Sequence, residues 1–408
     1  MKLLNFGSCN IDYVYLLDHI VAPGETEATD SMHIYSGGKG LNQSIAAARA
    51  GAKVYHAGCI GEDGEFLAAL LAEDGVDLSY LGRVKEKNGH AIIQVTGTGE
   101  NSIFLYPGSN AAVTKADIDA TLSHFEKGDI LLLQNEISGV PYLIERAYEK
   151  GMQVMLNPSP INDVIFQIDF HKLAYLILNE IEAEMITGAS DPYGALEKLR
   201  QDYPALSVIL TLGKRGSIYQ DAKEQIHQPS FVVEAKDTTA AGDTFTGYFV
   251  AELVRGAKVK DALSLASCAS AIAVSRNGAA PSIPMRKEVL AMRPLLKERP
   301  GSIAAEMAVK TVESTVDAAL ATVTLKDIAA ALGYSPVYTG ALIKRLTGKS
   351  YKEYVLERRL CRAATLLRTT DMPVGEVIAA VGYENESYFR KRFVEKYGRK
   401  PLEYRKAK

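Results

Sequence analysis

Residues 1–299 read as an α/β domain on a largely parallel sheet, and residues 303–408 as a separate all-α domain with two helix-turn-helix motifs. Three observations predict this. Short apolar runs recur through the first part with helix-like segments between them. Several runs are continuously apolar, as strands covered on both faces are. After Pro300-Gly301-Ser302 the strand pattern stops and an internal repeat of short helices begins.

In order, the expected strands are Leu3–Phe6, Val54–Ala57, Ala91–Val95, Ile130–Leu133, Val154–Leu156, Tyr175–Leu178 and Val208–Thr211. Helical segments fall at Gly64–Asp74, Val140–Lys150 and Tyr193–Gln201, giving a βαβα rhythm. Ile92–Tyr106 reads instead as two strands around Gly97-Thr98-Gly99, a hairpin signal.

The 408 residues suit two or three domains, and 47% apolar with 23% charged content is ordinary for a globular chain. Cys9, Cys59, Cys268 and Cys361 form no CxxC pair, so reduced thiols in a cytoplasmic setting are expected. The N-terminus turns polar too early for a signal peptide, and no run reaches membrane-span length. Residues 301–408 carry 19 Lys and Arg against 12 Asp and Glu, a balance of +7, leaving −10 on the rest. A basic tail on an acidic body suits a polyanionic partner, above all nucleic acid.

The stretch Asp237-Thr238-Thr239-Ala240-Ala241-Gly242-Asp243-Thr244-Phe245 runs into a helical pattern of Phe245, Tyr248, Phe249 and Leu253. Small residues at a helix start open an anion site. An acid beside that site would repel a phosphate, unless it takes a proton from an alcohol attacking the phosphate. Gly-Asp before a helix is also an ordinary N-cap, and the stretch alone supports both readings.

Four further clusters follow apolar strands, where open α/β sheets bind ligands. Asn10 and Asp12 follow the first strand and suit sugar hydroxyls, or a turn. Gly37-Gly38-Lys39-Gly40-Leu41-Asn42-Gln43 lets a ligand approach the backbone, yet lacks the Ser or Thr and the spacing of a P-loop. Asn179 and Glu182 suit hydrated Mg2+ or a helix cap. Thr211 to Gly216 suits nucleotide phosphates or a turn.

With these motifs the first 295 residues resemble the ribokinase-like (PfkB) sugar kinases, the Gly37–Gln43 and Asp237–Phe245 stretches matching both family signatures. The resemblance implies a three-layer ribokinase-like sandwich with a small β-lid that also makes a homodimer contact. It implies a sugar site of Asn10, Asp12, Gly38, Lys39, Asn42 and Glu136, with Asp243 as catalytic base and Ala240, Ala241 and Gly242 as anion hole. Asn179, Glu182, Thr211, Gly213, Gly216, Gly242 and Ser267 would line the site for ATP and Mg2+. Asp237, Thr239, Ala273, Arg276, Gly278 and Ser282 match positions that hold K+. The lysine of Gly-Gly-Lys-Gly is similar to that of ribokinases and deoxyribokinases, which points to ribose, phosphorylated on its 5-hydroxyl, with deoxyribose as the competing sugar.

In the tail, Ile328–Tyr334 recurs as Val377–Tyr383, and a shifted register then pairs Tyr338 with Tyr388, Ile343 with Phe393, Gly348 with Gly398 and Tyr354 with Tyr404. Each copy has a short helix, a Gly-Tyr turn and a second helix, joined by an amphipathic Tyr351–Arg368. Arg390, Lys391 and Arg392, with Lys396 one turn on, suit groove and phosphate contacts. A small helical dimerisation bundle is the plainer alternative.

The tail resembles the AraC/XylS DNA-binding family over residues 303–406. That implies recognition helices from about Pro336 and Asn385 on double-stranded DNA, read by Val337, Gly340 and Ala341 in the first and Glu386, Ser387, Arg390 and Lys391 in the second. Lys344 and Arg345 in the first, and Arg392 in the second, would add contacts. Gly340, Ala341 and Thr339 depart from the longer side chains usual there, and such short groups reach a thymine methyl without bidentate pairing.

Three functions are then open: a working kinase fused to a transcription regulator, a sugar sensor that has lost catalysis, and a kinase whose tail only assists assembly. The intact Asp243, Lys39 and Asn179–Glu182 pair argue against the second, and the basic repeat against the third.

Overall fold

Apolar runs become strands wherever helices cover both faces. The computed structural model describes residues 1–29, 31–299, 303–332, 335–383 and 385–406, and divides into two units, Met1–Pro300 and Gly301–Lys408. The first unit contains strands β1 (Leu3–Phe6), β2 (Asn10–Leu17), β3 (Ser31–Gly37), β4 (Val54–Ile60), β5 (Asp77–Arg83), β6 (Gly89–Thr96) and β7 (Asn101–Tyr106). It continues with β8 (Ile130–Gln134), β9 (Gln153–Asn157), β10 (Tyr175–Asn179), β11 (Ser207–Thr211), β12 (Ser217–Gln220) and β13 (Gln225–Gln228). Its helices are α1 (Lys39–Arg49), α2 (Glu65–Glu73), α3 (Lys115–Leu122), α4 (Val140–Glu149), α5 (Glu180–Thr187), α6 (Pro192–Asp202), α7 (Ala241–Val254), α8 (Val259–Val274) and α9 (Arg286–Met292).

Nine strands form one sheet in the order β13-β12-β11-β10-β9-β8-β1-β4-β5. β12 and β13 are antiparallel additions to an otherwise parallel sheet. Every residue of β1 and β8 is buried, and the expected strands all form. A second, four-stranded sheet runs β3-β2-β6-β7. Its β6–β7 arm is the expected hairpin, turning through Gly99 at φ 86°. All six residues of β7 are exposed, so this sheet is not sandwiched between helices.

Asn10 and Asp12 follow β1, but they open β2 of the small sheet rather than a turn. The edge of the lid thereby carries them to the ends of the main strands. The pattern Phe245, Tyr248, Phe249 and Leu253 does lie on one helix, α7, yet α7 is buried on nearly every side, including Glu252.

The second unit is helical: α10 (Ile303–Ala318), α11 (Leu325–Leu332), α12 (Pro336–Thr347), α13 (Tyr351–Thr369), α14 (Val374–Ala380), α15 (Glu386–Tyr397) and α16 (Pro401–Lys406). Two separate cores hold it. Val312, Val316, Ile328, Ile343 and Tyr354 form one, and Leu360, Leu367, Val377, Phe389 and Phe393 the other. α13 gives side chains to both and so joins the two halves. Arg359 on α13 donates to Leu320 O and Ala321 O of one connection and to Gly382 O of the other. The joint Pro300-Gly301-Ser302 and the first Gly-Tyr turn, Gly333-Tyr334, lie outside the described residues.

Candidate active site

The polar clusters converge where the main strands end. Asn179 closes β10, Thr211 closes β11, Asn157 closes β9, and Glu136 follows β8 by two residues. α7 begins there too. Its N-cap is Ala240, at φ 57° the only non-glycine with positive φ among the described residues, and no side chain caps the helix. An L-residue held in that region is strained by on the order of 1–3 kcal/mol, a departure that clusters at functional sites. Gly242 and Asp243 occupy the first turn, so their N–H groups have no intrahelical acceptor. A Cβ on Gly242 would meet nothing within 4 Å, so this glycine leaves open space beside those donors.

Asp243 is not the N-cap of α7. Its carboxylate does not turn back to cap α7. Oδ2 accepts from Asn42 Nδ2 at 3.0 Å and Oδ1 from Gln43 Nε2 at 2.9 Å, both from α1. α1 comes close because Gly247 faces it: a Cβ there would lie 2.4 Å from Ala46 Cβ. Asn42 Oδ1, also buried, has no hydrogen-bond partner among the described residues.

Lys39 opens α1, and its N–H donates to Glu136 Oε2 at 2.9 Å, which also accepts from the Ser8 hydroxyl. Burial pulls the Lys39 ammonium down, but the carboxylates of Asp243, Glu136 and Glu182 outweigh it and hold the group above its ordinary value. Burial raises Glu136, against the opposing pull of Lys39. Burial, then repulsion from Glu136 and Asp243, pushes Asp12 up to about 7. Gly37 makes room for that carboxylate, since a Cβ there would lie 2.2 Å from Asp12 Oδ2. Gly38, at φ 91°, packs with no room for a side chain against Asn10 N. Asn10 Oδ1 accepts from Asn110 Nδ2 at 2.7 Å.

Two adjoining cavities flank the start of α7. One, of about 240 Å3, is lined by Lys39, Asn179, Glu182, Ala240, Gly242 and Asp243 among others. The other, of about 270 Å3, is lined by Thr211, Gly213, Gly216, Gly242, Ser267 and Phe231 among others. Thr211, Thr238, Ala241 and Gly242 border both. Asn10 and Glu136 line a third, of about 320 Å3, beneath Leu105 and Tyr106 of the lid. Asn179 and Glu182 form a reciprocal capping box on α5, Asn179 accepting from Glu182 N while Glu182 accepts from Asn179 N at 2.9 Å. They are thus a helix cap and a cavity wall at once.

Of the residues matched to a K+ site, the structure ties three directly. Asp237 accepts from Thr239 N at 2.9 Å and from Gly278 N at 2.8 Å. Ala273 lies in the last turn of α8, Ser282 is buried with its hydroxyl on Ala279 O, and the Arg276 side chain pairs with Glu288.

A model of the pfkB family carbohydrate kinases matches residues 1–286, and a helix-turn-helix domain model matches residues 328–407. A ribokinase of Haemophilus influenzae is 37% identical over 295 residues, spanning 70% of this chain and 95% of the relative. The crystal structure of a Thermotoga maritima ribokinase is 36% identical, covering 71% of this chain and 98% of its own at a TM-score of 0.64. A Cryptococcus neoformans ribokinase in complex with ADP is 34% identical, covering 71% and 99% at a TM-score of 0.64. The chain belongs to the pfkB family of carbohydrate kinases. A helix-turn-helix domain follows its kinase part.

Some groups in this pfkB site escaped the reading of the sequence. Gln43 sits inside the quoted motif, yet nothing local shows that its amide reaches Asp243. Asn110 and Ser8 carried no signal beyond being polar residues near glycine. Their partners stand 100 and 128 residues away.

In the helix-turn-helix part, α12 and α15 are built alike. Ser335 caps α12 by accepting from Tyr338 N and Asn385 caps α15 by accepting from Tyr388 N, while Gly348 and Gly398 end them at φ 73° and 70°. Glu386, Ser387, Arg390, Lys391 and Arg392 are all exposed on α15. Arg390 pairs with Glu386 at 3.1 Å and Arg392 with Glu395 at 2.9 Å. On α12, Val337 is 86% exposed and Lys344 is exposed, while Gly340 is half-buried beside Leu325. Thr339 is fully buried. The side chain of Arg345 lies outside the described residues. Lys396 is exposed one turn on from Arg392, with its ammonium 2.8 Å from Glu357 on α13. Hydrogen bonds from Lys349 and then Lys396 hold Glu357 down at about 2.

Proposed function

We propose that residues 1–299 form an ATP-dependent sugar kinase, with ribose as acceptor at its 5-hydroxyl, and that residues 303–408 bind double-stranded DNA as a transcription regulator in the cytoplasm. The observation that carries the kinase reading is the Asp243 carboxylate, held by Asn42 and Gln43 at the open start of α7 instead of capping it. Among the described residues, no helix is long and apolar enough to cross a membrane. The relatives' shared name supports ribose, and deoxyribose is the competing sugar.

In this reading the sugar lies between the lid edge and α1. Asn10, Asp12, Lys39, Asn42 and Glu136 offer its hydroxyls donors and acceptors, and Gly38 lets it approach the backbone. The unpartnered Asn42 Oδ1 suits a sugar hydroxyl. Asp243 takes the proton of the attacking hydroxyl as its oxygen bonds to the γ-phosphorus and the bond to the β-phosphate oxygen breaks, releasing ADP. The N–H groups of Gly242 and Asp243, reached past Ala240 and Ala241, and the Lys39 ammonium offset charge on the transferring group.

Thr211, Gly213, Gly216 and Ser267 border the cavity assigned to ATP. Asn179 and Glu182, which line the cavity beside Gly242 and Asp243, suit Mg2+ through bound water. Mg2+ there would neutralise phosphate charge. Asp237, Thr239, Ala273, Arg276, Gly278 and Ser282 are the proposed K+ surround, and the exposed apolar side chains of β7 favour a homodimer through the lid. On the tail, Glu386, Ser387, Arg390 and Lys391 would read bases, with Arg392, Lys344 and Arg345 on phosphates.

The test is ADP release over a panel of pentoses and hexoses. Ribose is expected to stimulate ATP turnover most, and Asp243→Asn to abolish it. Normal turnover by that variant would sink the mechanism.

A further inference from the structure

Behind Asp243 lies a buried chain of three carboxamides. Asn5 on β1, Gln134 at the end of β8 and Gln43 on α1 are each fully buried. Asn5 Nδ2 donates to Gly40 O at 2.7 Å and to Ser44 Oγ at 2.8 Å. Gln134 Nε2 donates to Asn5 Oδ1 at 3.0 Å and to Gln43 Oε1 at 2.6 Å. Gln43 Nε2 donates to Asp243 Oδ1 at 2.9 Å and to Asn157 Oδ1 at 3.3 Å. Each amide nitrogen therefore places both of its hydrogens.

The direction of the chain follows from one fixed group. A backbone carbonyl only accepts, so Gly40 O forces the Asn5 amide to point its nitrogen there and its oxygen to Gln134. Gln134 must then donate to Asn5, and the same nitrogen donates to Gln43 Oε1. With its oxygen so engaged, Gln43 turns its nitrogen to Asp243. Reversing any member would set oxygen against oxygen or amine against amine in a dry interior, at a cost of about 1–3 kcal/mol per unmatched group. Gln134 Oε1, the one oxygen these three amides leave over, is buried without a partner among the described residues. An unmatched acceptor there is tolerable if the other end of the amide is what matters.

We infer that Gln134 is a positioning residue for the phosphoryl transfer: acting through Gln43, it fixes an N–H on Asp243 Oδ1 and so keeps the base aimed. This rests on the reading of Asp243 as the base. Without that donor, Asp243 Oδ1 loses its partner from α1 and the carboxylate can turn away from the attacking hydroxyl, so the loss falls on kcat and not on substrate affinity.

The experiment is ribose-dependent ATP turnover, with kcat and KM read separately, for the full chain and for Gln134→Met, Gln43→Met and the double variant, with thermal melting to confirm folding. Gln134→Met is expected to lower kcat on the order of 10-fold to 100-fold, as small misplacements of a base do, with KM for ribose and ATP held. Because Gln134 acts through Gln43, the double variant is expected to be no worse than Gln43→Met alone. An unchanged kcat in Gln134→Met, or multiplicative losses in the double variant, would overturn the inference. Should Gln134→Met not fold, an unchanged kcat in Gln43→Met overturns it equally. Turnover by Asp243→Asn would instead remove the base reading itself.

Discussion

At the scale of single residues, the site separates groups that hold the fold from groups that leave room. Gly242 belongs to the second kind, since a Cβ there touches nothing and its φ needs no glycine. Gly242→Ala should therefore stabilise α7 by up to about 1 kcal/mol. The same methyl would stand in the proposed anion space, lowering turnover on the order of 100-fold. Melting and ADP release measured on one sample check the pair, and a loss of stability would contradict the open space. Asp12 gives a pH signature. Its folded pKa of about 7 lies above the ordinary 3.8, so between those values the folded chain holds a proton that the unfolded chain has released. Stability from this group is present at low pH and is lost as pH rises toward 7. Asp12→Asn should then melt higher than the parent at pH 8, the gap closing toward pH 4. Glu136, raised in the same direction, is unchanged in both proteins and cancels from the comparison.

At the scale of elements, the contact of α1 with α7 makes the site, and Gly247 makes the contact. Gly247→Ala should cost about 1–3 kcal/mol by overpacking against Ala46. It should also lower kcat, because Asn42 and Gln43 move away from Asp243. Retained kcat with lost stability would show that the helix pair is a packing feature alone. The sequence displayed this unevenly. β1, β8, β10 and β11 were legible because apolar residues dominate their runs, even with Asn5 inside β1. β2, β3, β5, β12 and β13 were not, since they are short, half-exposed or mixed with polar residues, and nothing in such a run marks a lid or an edge. Both glycine motifs and the Asn179–Glu182 box were legible as local patterns. The Gln134–Gln43 link was not, because it joins side chains 91 residues apart that only the sheet brings together.

At the scale of the molecule, a kinase and a DNA-binding domain on one chain predict linked equilibria. Salt dependence identifies the DNA half first. Each phosphate contact contributes about 0.9 to the slope of log affinity against log salt, so binding to the protein's own upstream DNA should weaken steeply with salt. Arg390→Ala, which removes a proposed base-reading group, should cost about 1–3 kcal/mol while leaving ADP release intact. Coupling between the halves is then a matter of reciprocity: if ribose changes the affinity for DNA by some factor, DNA must change the affinity for ribose by the same factor. Asp243→Asn makes the measurement clean, since the proposed mechanism has it bind ribose and ATP without consuming them. Titrating that variant with DNA at zero and saturating ribose, and with ribose at zero and saturating DNA, should give one factor both ways. A factor of one in both titrations would mean that the tail brings the kinase to DNA without sensing its substrate.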